Sequence, residues 1–238
     1  MIKLLIDAGN SNIKLAVVAG DRCLSTAIFP TSQPIDLALA ANFAVQQVYV
    51  SNVAGRDVAA RITDACAVHH WSPHFIISQS LQCGVRNGYQ QPGQLGCDRW
   101  AMLLAAWHRV GGACLIVSSG TATTIDALSV RGEFTGGLIL PGIALMQSSL
   151  RSGTAGLQVA DGHYSSFPCN TSDALFSGAI QASCGAIQRQ YELLAVAGAP
   201  VLLSGGAASL LLPHLRLPVQ MMDNLVLTGL RLISQDAE

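Results

Sequence analysis

Apolar and polar positions alternate along this chain in two long stretches that resemble each other. From Leu4 to Val18 the sequence reads LLIDAGNSNIKLAVV, an aliphatic run broken at Asp7 to Asn10 and then resumed. That pattern predicts two strands, near residues 4–7 and 12–19, joined by a tight turn. Ser25 to Pro34 is polar and contains serine and proline, so it reads as loop, and an alanine-rich helix follows. VQQVYVSNVA (residues 45–54) predicts a strand and turn, Arg56 to Ala67 a helix, and HFIISQS (74–80) a strand. Four glycines and a proline between Gln82 and Gly96 predict loop. From Asp98 the residues Trp100, Leu103, Leu104, Trp107 and Val110 recur at helical spacing, and Gly111-Gly112 stops the helix.

After Gly112 the pattern restarts. Strands are expected over 114–119, 123–130 and 134–140, then Pro141-Gly142 and a helix. Shifting the first stretch by 111 positions lays Gly9 on Gly120 and Asn10 on Thr121. Runs of strands followed by helices, repeated, predict two α/β domains of related design, residues 1–112 and 113–238, facing each other across a cleft.

Composition narrows the class. With 238 residues, half of them apolar and 11% charged, the chain can bury a large core. A formal net charge of −1 lacks the basic excess that nucleic-acid or anionic-membrane binding calls for. Seven scattered cysteines, with no Cys-x-x-Cys pair, suggest reduced packing residues and a cytosolic protein. Asp7 and Asn10 interrupt any signal-peptide core. Leu193 to Leu212 is uncharged and long enough to span a bilayer, but Gly198, Pro200 and Gly205-Gly206 break it. We therefore read PVLLSGGAASLLLPHL (200–215) as strand, glycine turn and helix, and expect no membrane association.

Candidate chemistry lies at the turns. Gly9 lets backbone N–H groups approach phosphate oxygens, Asp7 suits a magnesium ion held through water, and Lys14 suits phosphate charge. A single copy is equally an ordinary hairpin turn; two copies in register favour the phosphate reading. The second copy, Ser118 to Thr124, has the glycine and several hydroxyls, but Ser118 stands where Asp7 stands in the first. A third turn, Ser204-Gly205-Gly206, is placed to lie under an adenosine. GCDRW puts Asp98 at a helix start, where it is either a cap or a general base with Arg99 beside it for an anion. Asp126 interrupts a strand, and a carboxylate buried there wants a cation or several donors. His69, His70 and His74 do not form a metal motif, because Pro73 falls inside their spacing and no His-Glu-x-x-His pattern exists.

Taken in order, DAGNSNIK (Asp7–Lys14), GCDR (Gly96–Arg99), SSGTATTID (Ser118–Asp126), GGLILPG (Gly136–Gly142) and LSGG (Leu203–Gly206) resemble the type III pantothenate kinases. The resemblance spans nearly the whole chain. It implies two ribonuclease-H-like domains of the acetate/sugar kinase, actin and heat-shock ATPase superfamily. It also implies transfer of the γ-phosphoryl of ATP to pantothenate, the first step of coenzyme A synthesis. On that resemblance Asp7, Ala8, Gly9, Asn10, Ser11, Asn12, Ile13, Lys14 and Thr121 contact ATP, with magnesium held through water at Asp7. Asp98 is the catalytic base, and Tyr89, Gly96, Cys97, Asp98, Arg99 and Thr171 meet pantothenate, Thr171 coming from the partner chain of a homodimer. The family's second turn begins with an aspartate that helps hold potassium or ammonium; Ser118 replaces it here, leaving Asp126 and backbone carbonyls as alternative ligands. Two rivals stand beside this reading: a kinase of the same superfamily with another substrate, and a nonenzymatic nucleotide-binding regulator or accessory factor.

Overall fold

In the computed structural model the described residues are 1–153 and 161–236. The chain divides into two compact units, one of residues 1–109 and 224–238 and one of residues 110–223. The last helix thus groups with the first unit.

In the first unit the elements are β1 (Ile2–Ala8), β2 (Asn12–Ala19), β3 (Arg22–Pro30), α1 (Ala38–Ala41), β4 (Val45–Asn52), α2 (Arg56–Ala67) and β5 (Pro73–Phe75). They are followed by a short hairpin, β6 (Leu81–Gln82) and β7 (Val85–Asn87), and by α3 (Cys97–Val110). The sheet order is β3-β2-β1-β4-β5, with the first three strands antiparallel and β4 and β5 parallel to β1. One face of this sheet carries Leu4, Ile6, Ile13, Leu15, Val48 and Val50 against Val58, Ile62 and Cys66 of α2. Alternation along the strands puts Lys3, Leu5, Asp7, Lys14 and Ser51 on the opposite face.

The second unit repeats the plan. Its strands are β8 (Cys114–Ser119), β9 (Ala122–Leu128), β10 (Glu133–Pro141), then, after α4 (Ile143–Gly153) and α5 (Thr171–Leu194), β11 (Val201–Ser204). The short helix α6 (Ala208–Leu211) and β12 (Val219–Met221) complete it. The strand order β10-β9-β8-β11-β12 reproduces that of the first unit, again with three antiparallel strands and two parallel ones. Its core sets Leu115, Val117, Ile125 and Ala127 against Ala179, Ile180 and Ile187 of α5. This is the ribonuclease-H-like topology, present twice.

Three differences from the sequence expectation have physical causes. Of the stretch read as loop, Ser25 to Pro34, the part up to Pro30 belongs to β3, paired with β2 from Arg22 to Pro30. It is an edge strand, open to solvent on one side, with Ile28 62% exposed; apolar periodicity is therefore weak, and the ladder bonds to β2 supply the order. The glycine-containing segment 82–96 is not all loop: it holds most of the β6–β7 hairpin, turned at Cys83 and Gly84, both at positive φ. The helix predicted after Gly205-Gly206 is one turn, α6, because Pro213 follows it closely.

The closing helix α7 (Leu225–Asp236) packs on the β1 and β4 face opposite α2. A Cβ at Gly229 would overlap the Ala101 carbonyl, so glycine is what lets α7 approach α3. Lys3, buried in β1, donates through Nζ to the Ser234 carbonyl oxygen of α7 and lies over the Tyr49 ring. No helix among the described residues is long and apolar enough to cross a membrane.

Candidate active site

The first turn is braced from behind. Gly9 N donates to Asn12 O (3.0 Å), closing the bend between β1 and β2. Thr31, buried just after β3, donates from Oγ1 to Gly9 O at 2.7 Å and from its backbone N to Ser11 O at 3.0 Å. Arg61 of α2 donates to Thr31 O at 2.9 Å. Asn10, Ser11 and Asn12 are left exposed at the tip, while Ala8 and Ile13 are buried in the strands that carry it. Thr31 is a supporting residue that the sequence reading missed, because it lies inside the stretch taken for loop.

Across the sheet, Asp7 is the register partner of Lys14 on β2 and of Ser51 on β4, so the three side chains form a row on one face. Burial pushes the Asp7 carboxyl up to about 7; the Lys14 ammonium pulls the other way, and the Asp98 charge adds to the rise. A desolvated carboxyl with only one lysine to offset it is a group that a cation would stabilise.

Asp98 lies in the first turn of α3. Trp100 N donates to Gly96 O (2.9 Å), so the first helical bond ends on Gly96, and Asp98 sits inside the helix rather than at its cap. Its Oδ1 accepts from Arg99 N at 2.8 Å. A Cβ at residue 96 would come within 2.6 Å of that Oδ1, which gives the glycine of GCDR its reason: it clears room for the carboxylate. Burial raises the Asp98 pKa above the ordinary value, against the lowering effect of the Arg99 N–H and charge. Arg99 is buried and donates from Nη1 to the Tyr89 hydroxyl at 3.0 Å, with its guanidinium over the Tyr89 ring. Tyr89 N in turn donates to Asn87 Oδ1 at the end of the hairpin. Cys97 points elsewhere: its thiol contacts Ser51 Oγ at 3.4 Å and donates to Asn52 O at 3.5 Å.

In the second unit the turn Ser119-Gly120-Thr121 is gripped by two glycines. Gly142 N donates to Thr121 O at 2.9 Å, and a Cβ at residue 142 would overlap the Gly120 and Thr121 carbonyls. Gly205, at φ +100°, presses on Ser119, whose carbonyl accepts from Ala207 N at 3.0 Å. The LSGG and LPG motifs therefore shape the second turn directly. Ser118, Thr124 and Asp126 share the sheet face opposite α5; Asp126 is fully buried, and the Thr124 hydroxyl is buried with no hydrogen-bond partner among the described residues. Thr124 was not singled out in the sequence. Thr171 is exposed at the start of α5, behind its cap Asn170, whose side chain accepts from Asp173 N.

Among the described residues no group of three or more His, Cys, Asp or Glu is gathered to hold a metal, the three histidines of 69–74 included. The seven cysteines are free, and burial raises the thiols of Cys66 and Cys114 to about 11 and about 12.

Two ribonuclease-H-like units, each with a glycine turn after its first strand, define an actin-like ATPase fold of the kind that sugar kinases use. Solved structures share it: a protein described as a 2-dehydro-3-deoxygalactonokinase from Sinorhizobium meliloti has a TM-score of 0.62 at 15% identity, covering 99% of this chain and 98% of its own. A Baf family protein from Campylobacter jejuni, described as a transcriptional activator, has a TM-score of 0.58 at 23% identity, with 98% of each chain covered. Residues 3–193 match the type III pantothenate kinase family. The type III pantothenate kinase of Aromatoleum aromaticum is 43% identical over 98% of both chains, and that of Nitrosomonas eutropha 42% identical over 98% of this chain and 94% of its own. The chain belongs to the type III pantothenate kinase family.

Proposed function

We propose that this protein transfers the γ-phosphoryl group of ATP to the terminal hydroxyl of pantothenate, the first step of coenzyme A biosynthesis, in the cytoplasm and as a homodimer. The observation that carries the reading of the site is the placement, within one unit, of Asp7 beside a phosphate-type turn and of Asp98 in the first turn of α3, with Gly96 clearing room for its carboxylate. Asp98 is the base: it takes the hydroxyl proton as that oxygen bonds to the γ-phosphorus and the bond to the leaving ADP breaks. A raised pKa makes it the better proton acceptor. The backbone from Asp7 to Lys14, with Thr121, holds the ATP phosphates; Lys14 offsets their charge. Tyr89, held by Arg99, and the backbone of Gly96 to Arg99 orient pantothenate, and Thr171 reaches it from the partner subunit. The exposed apolar residues Ile139, Leu145, Leu150 and Phe167 of the second unit support a second copy as their cover.

The residues fit a magnesium ion that arrives with ATP, not one caged by protein: among the described residues no three His, Cys, Asp or Glu gather around Asp7, and magnesium keeps phosphate and water ligands. When bound, the ion neutralises charge on the phosphates. For a monovalent cation, potassium or ammonium, Ser118, the buried Thr124 hydroxyl and Asp126 supply oxygen donors on one face.

The test is a coupled assay of ADP release with and without pantothenate, at fixed ionic strength with potassium present or replaced. Pantothenate-dependent turnover is expected. Turnover with a sugar alone would move the protein to another kinase of the fold, and nucleotide binding without turnover to a regulator.

A further inference from the structure

We propose that Ser51 of β4 is a positioning residue for the phosphoryl transfer, holding Asp98 in register with Asp7 through the thiol of Cys97. The proposal rests on the reading of Asp98 as the base. Ser51 is fully buried and is the register partner of Asp7, so the two side chains lie in one row on the same sheet face. Its Oγ lies 3.4 Å from Cys97 Sγ, and the same sulfur donates to the carbonyl of Asn52, the next residue, at 3.5 Å. Cys97 opens α3, and Asp98 follows it. One side chain therefore fastens the start of the helix to the end of the strand beside β1.

One assignment of donors satisfies both contacts. With the S–H directed at Asn52 O, the sulfur is left to accept, and the Ser51 hydroxyl donates to it. Burial keeps Cys97 a neutral thiol, able to fill both roles. Each contact is weak, since sulfur is a poor partner. Their worth is in geometry: Asp98 has Gly96 on one side, offering no side chain to hold it, and the clip supplies the restraint on the other. Loss of the clip frees the first turn of α3 to shift against β1, and shifts of ~1 Å in a catalytic group cost up to about 100-fold in rate.

The experiment compares the full-length wild type with Ser51→Ala, Cys97→Ala and the double variant, measuring kcat, KM for ATP and thermal midpoint. The expected result is a fall in kcat of roughly 10-fold for each single variant, with KM for ATP held, and a double variant no worse than either single. Multiplying effects, or a lowered midpoint with unchanged kcat, would show two independent packing residues and overturn the clip. Should Cys97→Ala not fold, Ser51→Ala decides alone: unchanged kcat overturns the proposal. A wild type without pantothenate-dependent turnover overturns the parent reading and the clip with it. A turning-over wild type with an unaffected Ser51→Ala overturns only the clip.

Discussion

Two carboxyls of the first unit, Asp7 and Asp98, are partly buried, and desolvation raises the pKa of each. For Asp98 the expected outcome of Asp98→Asn is a folded protein that still binds ATP but phosphorylates pantothenate about 10²–10⁴-fold more slowly. Asn is nearly isosteric, and Gly96 keeps the space it needs. Turnover near wild type in steady-state kinetics would leave Asp98 only its bond to Arg99 N. For Asp7 the prediction concerns stability. Its folded pKa, about 7, lies above the ordinary 3.8, so folding favours the protonated form of this group over the charged one. The stability this group contributes is therefore whole below pH 3.8 and lost as pH rises through 7. Without ligands, Asp7→Asn should gain on wild type by roughly 2–3 kcal/mol between pH 5 and pH 8. Thermal midpoints of both proteins across that range decide it; parallel curves would mean Asp7 is already ionised and compensated. Ser118→Asp should make the rate depend more steeply on potassium, since two carboxylates on one sheet face repel until a cation joins them. Superimposable potassium curves would show that position 118 does not face the cation.

Turns and short elements do the positioning. Around the second turn, Gly142 and Gly205 leave no room for a side chain, and Gly205 also needs its left-handed backbone. Gly205→Ala is expected to displace Ser119 to Thr121, raising KM for ATP more than KM for pantothenate while lowering the thermal midpoint. An unchanged KM for ATP would detach this turn from the nucleotide. The first turn has a different brace, Thr31 and Arg61, drawn from β3's end and α2. The motif DAGNSNIK names the residues proposed to meet phosphate but is silent on these supports. They act through backbone carbonyls, so their side chains carry no pattern that a reading of neighbours in sequence detects.

At the scale of the molecule, the two units share one strand order, and the 111-residue offset between the glycine turns is its trace in the sequence. The exception to the simple repeat is α7. Leu225, Leu227, Leu230, Leu232 and Ile233 are buried, and Ser234 accepts from Lys3 at the other end of the chain. Removing residues 224–238 should therefore unfold the first unit, leaving insoluble protein or loss of its thermal transition, whereas a loop-like tail would be dispensable. Alternating strands and the glycine turns are local properties, and from them the sequence by itself determined two α/β units of related design; the ribonuclease-H-like fold and the kinase family came from the family resemblance carried by the linked motifs in their order. Local spacing sufficed because a strand's period of two and a glycine's freedom at φ > 0 act within a few residues. Other features needed the tertiary structure: β3 as an edge strand, the grip of Gly142 on Thr121 and of Gly205 on Ser119, the Ser51–Cys97 contact, and the return of α7 to β1. These are contacts between residues far apart in the chain, fixed by how whole elements pack, and no window of neighbouring residues contains both partners.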